Sequence, residues 1–174
     1  FIFIPFFILS QTTETENFDS GSSTDIQLTN GVSTPSGFWS GASDSTSSGQ
    51  YQWEIEAGGG RTPSYNTGPE EPYNGNAYMY AETSDDSTAD EFILVSDTFS
   101  STSATMSFYY HMYGSVIGTL YVDESTDSGT SWNTLLTISG QQQTSYTDSW
   151  VQVTSGSGSF SSISSSTNKL RIRY

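Results

Sequence analysis

The sequence predicts an all-β protein: an antiparallel two-sheet sandwich of jelly-roll type whose last strand is expected to lie beyond Tyr174. Three observations point there. Short runs alternate apolar and polar residues with the period of two that places successive side chains on opposite faces of a strand. Gly, Ser and Thr break the chain between these runs, as turns do. From Phe18 onward no stretch carries the i, i+3, i+4, i+7 apolar spacing of a helix. A chain of 174 residues is long enough for one domain with a two-layer core. Its 11 Tyr, 10 Phe and 4 Trp supply the large side chains that a disordered, serine-rich polymer would lack.

The chain opens with "FIFIPFFILS", residues 1–10, which is too short to span a bilayer. Its composition fits the apolar region of a secretory signal, with Pro5 arguing against the alternative of a buried strand. Residues 11–17 then read as a polar spacer, and the domain proper as 18–174. Residues 29–50 and 57–76 are rich in Gly, Ser and Pro and read as long loops, the first pinned by Phe38 and Trp39. Between and after them come the strand candidates. In "NAYMYAET", Ala77, Met79 and Ala81 share one face, and Tyr78, Tyr80 and Glu82 the other. "EFILVSDTF", "ATMSFYYHMYG", "GTLYVDES", "NTLLTIS" and "WVQVTS" follow. The last is "KLRIRY", with Leu170, Ile172 and Tyr174 opposite Arg171 and Arg173. The central stretch, residues 108–132, reads as two strands, a turn between them and a second turn after.

Charge narrows the function. Nineteen acids face four basic residues, for a net charge of −15, so the phosphate-neutralising side chains that nucleic acid requires are missing. With no cysteine there are no disulfides, thiolate metal sites or cysteine nucleophiles. His111 is the single histidine; it has no G-x-S-x-G serine to serve and no second imidazole with which to bind zinc, so it reads as a hydrogen-bonded structural residue on a sheet face. "STDSGTSW", residues 125–132, has the S-x-D-x-G-x-x-W pattern of an Asp-box turn. There Asp127 accepts backbone N–H groups, Gly129 takes positive φ and Trp132 packs beneath. An EF-hand is excluded, because the acid at the third loop position and the closing glutamate are absent.

Two questions stay open at this level. The paired loop acids Glu70/Glu71 and Asp85/Asp86 read either as a solvated face or as hard oxygen ligands. Asp19, Glu82 and Asp85 are the candidates for a structural Ca²⁺ site. Trp39, Tyr65 and Tyr73 read either as pins for their loops or as recognition groups for a protein or carbohydrate partner.

The order of motifs "ENFDSG", "WEIEAGGGRTPSYNTGP", "GNAYMYAETS", "FILVSDTFS" and "SFYYHMYGSVIGTLYV" resembles the MAM domain, in its bacterial exported form. The family is named for meprin, the A5 protein and the receptor-type tyrosine phosphatase mu. The likeness runs on through "SGTSWNTLLTISGQQQTSYTDSWVQV" to "NKLRIRY", so it covers residues 18–174. It implies a concanavalin-like jelly roll, a non-catalytic role in adhesion at the cell surface or outside the cell, and often a bound cation. Phe18 and Asp19 match the family's first-strand pair, Trp53 its tryptophan, Thr67, Gly68 and Pro69 its T-G-P, and His111 its structural histidine. The chain departs from the family at "EEPY", which holds Pro72 and Tyr73, and in lacking its cysteines.

Overall fold

The computed structural model describes residues 13–19, 26–29, 31–42, 52–58, 66–83, 91–100 and 102–174. The signal-like segment 1–10, Tyr65 and Asp85 lie outside them. No helix occurs among the described residues. Ten strands do: β1 (Ile26–Gln27), β2 (Trp39–Ala42), β3 (Glu54–Ala57), β4 (Ala77–Tyr80), β5 (Ile93–Ser96), β6 (Ser107–Tyr110), β7 (Thr119–Ser125), β8 (Asn133–Ser139), β9 (Val151–Thr154) and β10 (Lys169–Arg173). One layer is a five-stranded antiparallel sheet in the order β2-β5-β10-β7-β8. The other holds β1-β3-β4 and, separately, the pair β6-β9. The predicted sandwich is thus present, in an open form.

The core is one apolar cluster drawn from both layers. Ile55 of β3, Ala77 of β4, Leu94 of β5, Val122 of β7, Leu136 of β8 and Ile172 of β10 are all buried in it. Period-two alternation accounts for β10, where Leu170 and Ile172 point inward while Arg171 and Arg173 are only partly covered. β8 breaks the rule, since Leu135 and Leu136 are both buried. A bulge between Val122 and Asp123 explains it: Val122 pairs Leu136 but Asp123 pairs Thr134, so Leu135 is the extra residue.

Two expectations are corrected. Residues 108–132 do contain two strands, but β6 and β7 belong to different sheets, and residues 111–118 cross between the layers instead of turning back. Gly114, at φ +153° and packed on Thr67 and Ile117, lies in that crossing. Trp39 opens β2 inside the segment read as a loop, because β2 finds a partner in β5 that the glycine-rich local sequence does not announce. On the second face of β4 Tyr78 and Tyr80 are buried, Tyr80 donating to Glu54 at 2.7 Å and Tyr78 packing edge-on to Trp150.

On the outer side of the five-stranded sheet the chain buries a charge. Asp123 accepts Nε and a terminal N–H of Arg171 (2.9 and 2.7 Å), Nε of Arg173 (2.8 Å) and the Thr134 hydroxyl (2.7 Å). Burial opposes ionisation of this carboxyl, but Arg173, Thr134 and Arg171 outweigh it and hold its pKa below the ordinary value. Each guanidinium also lies over a ring, Arg171 over Trp132 and Arg173 over Tyr121.

Candidate binding face

Trp150, just before β9, divides two clefts. The first, about 260 Å³, has residues 69–73 along one wall and 146–150 along the other. The second, about 240 Å³, lies between β4 and β6 and is walled by apolar groups, among them Phe18, Trp53, Phe108, Met112 and Tyr174.

The walls of the first cleft are fixed from the backbone up. Gly68, at φ +63°, donates its N–H to the Tyr113 carbonyl, and Glu70 donates to the Tyr146 carbonyl, both at 2.9 Å. Trp150 Nε1 donates to the Glu71 carbonyl at 3.2 Å, tying the two walls together. Opposite, Asp148 Oδ2 accepts the N–H and hydroxyl of Thr144 and the N–H of Ser145, closing a tight turn. Those bonds, that from the Thr144 backbone first, hold the Asp148 carboxyl below its ordinary pKa. Beneath the turn the buried Gln143 accepts the Met112 N–H at 2.7 Å and donates to the Tyr110 and Ser149 carbonyls, which anchors the loop to the end of β6.

Tyr73 tops this cleft. It is 53% exposed and lies flat on Tyr109 of β6, with ring centroids 3.6 Å apart and planes 15° apart. The Tyr109 phenol is raised above its ordinary pKa, first by its hydroxyl's interaction with Tyr73.

His111 follows β6 directly and packs its ring 5.8 Å from that of Trp150. Its ring nitrogens are buried and make no hydrogen bond of ordinary geometry among the described residues, with the Asp148 and Ser145 backbones the polar groups that face them. Burial pushes its pKa down; the backbone and carboxylate of Asp148 and the backbone of Ser145 oppose the shift without overcoming it. The imidazole is therefore held neutral, and no hydroxyl bonds to it that it could activate.

The other singled-out residues scatter. Trp39 is half-buried and edge-on to Phe38 at 5.4 Å, a packing role. Trp53 lies in the core against Phe92 and Tyr174. Thr67 and Gly68 line the second cleft, and the buried Pro69 lines both. Asp127 accepts the Ser131 hydroxyl (2.6 Å), the Ser131 N–H (2.8 Å) and the Ser125 hydroxyl (2.8 Å), and its pKa is lowered to about 2 by these bonds, those from Ser131 first. In the same turn Gly129 has φ +94°, and Trp132 packs against it. Asp19 is exposed and Glu82 half-buried at the rim of the second cleft. Among the described residues no three acids or histidines gather to hold a metal ion, so Asp19 and Glu82 do not make a calcium shell on their own.

Trp150, Tyr109, Gln143 and Asp148 were not singled out by sequence reasoning. "TSYTDSW" does carry a signal for Asp148, an acid within reach of the Thr and Ser N–H groups three and four residues before it. Nothing local marks Tyr109 or Trp150, whose partners are distant in sequence.

The comparisons with known proteins agree with this architecture. The family model for the MAM domain, meprin/A5/mu, matches residues 34–170. Neuropilin-1a of Danio rerio is 32% identical over 98 residues, a match that spans 53% of this chain but only 10% of that protein. Among solved structures, the K2 cleaved adhesin domain of Lys-gingipain (Kgp) aligns with a TM-score of 0.52 at 11% identity, covering 87% of this chain and 90% of that one. At that identity the likeness speaks for the fold alone. From β2 into β10 the motifs, the sheets and the family model coincide, and the chain belongs to the MAM domain family.

Proposed function

We propose that this chain is a non-catalytic adhesion and recognition module, working at the cell surface or outside the cell as part of a larger exported bacterial protein. Its partners on this reading are proteins or carbohydrates, not nucleic acids. The observation that carries the reading is the family match over residues 34–170. The preformed cleft beside Tyr73 supports it. Immobilised recombinant chain tests it directly in pull-downs and cell-binding assays. Retention of a surface protein, glycan or cell type is expected, and a surface that retains none of them would sink the proposal.

A second reading makes the chain a structural accessory to a secreted peptidase or glycoside hydrolase. The reading frame around this segment decides between the two. We further propose a stabilising Ca²⁺ held by Asp19 and Glu82 together with Asp85, which lies outside the described residues.

A further inference from the structure

We infer that the cleft between residues 69–73 and 146–150 is a carbohydrate site for neutral sugars, with Tyr73 as its stacking platform; the inference rests on the recognition reading above. Tyr109 covers one face of the Tyr73 ring, and the ring is still 53% exposed, so its other face is offered to solvent in a fixed orientation. A ring pre-set this way loses little freedom when an apolar sugar face settles on it. Trp39 illustrates the contrast, since its ring is taken up by Phe38.

The cleft is also built before any ligand arrives. The Glu70–Tyr146 and Trp150–Glu71 bonds hold its walls together, and Tyr78 and His111 pack against Trp150. At about 260 Å³ it is smaller than the roughly 300–1,000 Å³ typical of drug-sized pockets, which suits one terminal sugar ring.

The polar lining selects among sugars. Glu70, Glu71 and Asp148 are acceptors, and Asp148 keeps Oδ1 for a ligand because its three bonds all go to Oδ2. Sugar hydroxyls are donors that such acceptors recognise. Among the described residues no Lys or Arg lines the cleft, and Arg171 and Arg173 are committed to Asp123, so a sialic or uronic acid would meet like charge there. A cationic peptide side chain would pair with Glu70 and Glu71, but both are exposed, and an ion pair in water is weak. The stacking ring therefore sets the class of ligand.

The test is titration calorimetry of the chain with neutral hexose and N-acetylhexosamine oligosaccharides, their sialylated counterparts and a lysine-rich peptide. Neutral sugars are expected to bind about ten-fold or more tightly than the sialylated forms. Tyr73→Phe should bind within about two-fold of wild type, and Tyr73→Ala about five- to ten-fold more weakly. Melting temperatures matching wild type will show that both variants are folded. No binding of any neutral sugar, full binding by folded Tyr73→Ala, or Tyr73-dependent binding of the peptide alone would each overturn the inference. Capture of cells or surface proteins that survives Tyr73→Ala would leave the adhesion reading standing while this site falls.

Discussion

Asp123→Asn tests the largest electrostatic commitment in the fold. The Asp123 side chain is 1% exposed and neutralises two guanidiniums that are themselves only about one-fifth exposed. Asparagine keeps the shape and an acceptor for Thr134, but it removes the charge and turns an N–H toward the arginines. The two arginines do not suffer equally. Arg173 retains Glu91 at 2.8 Å and the Tyr121 ring, whereas Arg171 is left with only the Trp132 ring. Breaking a buried pair costs about 3–5 kcal/mol. With Arg173 still paired, the low end applies, about 3 kcal/mol, or roughly 6–12 °C in Tm for a chain of this size. Urea titration of wild type and variant at neutral pH, with equal m-values, measures it. The native Asp123 pKa lies below its ordinary value, so the difference must be full above the ordinary carboxylate range and shrink as pH falls through the native pKa. A loss below about 1 kcal/mol at neutral pH would mean that the cluster behaves as an exposed pair, and the reasoning would be refuted.

Other outcomes follow from single contacts. Gly41→Ala places a methyl 1.9 Å from the Leu28 carbonyl oxygen, a backbone atom, so about 3 kcal/mol or more should be lost in the same urea titration. His111 is held neutral, with a native pKa below the unfolded value of about 6.5. Stability should therefore fall as pH drops from about 6.5 through the native pKa, and His111→Gln should flatten that part of the Tm–pH curve. If Ca²⁺ binds the folded state as proposed, a chelator should lower Tm by roughly 5–10 °C relative to saturating calcium, and an unchanged melt would remove the ion from the account.

The local order of this protein was written where its residues could act on near neighbours. Alternation in "KLRIRY" separates Leu170 and Ile172 from Arg171 and Arg173 without reference to anything else in the chain. Asp127, Gly129 and Trp132 meet in one turn because a turn closes over a few residues. The all-β class was legible for the same reason, since it is the sum of such short-range preferences.

Strand partners were not legible, because pairing joins residues far apart in the chain. Only the assembled sheets send β6 to β9 and β7 to β10, turning an expected return into a crossing between layers. The same applies to the candidate site. Tyr73 is a ring in a loop until β6 brings Tyr109 beneath it, and Trp150 is one aromatic among many until Glu71 takes its indole N–H. Sequence by itself determined which segments would be extended and which faces apolar, as period and side-chain chemistry act within a few residues. Tertiary structure alone decided which edges met, which charges were buried and where a cleft opened, because those depend on contacts whose loop-closure cost and packing gain are settled by the whole chain at once.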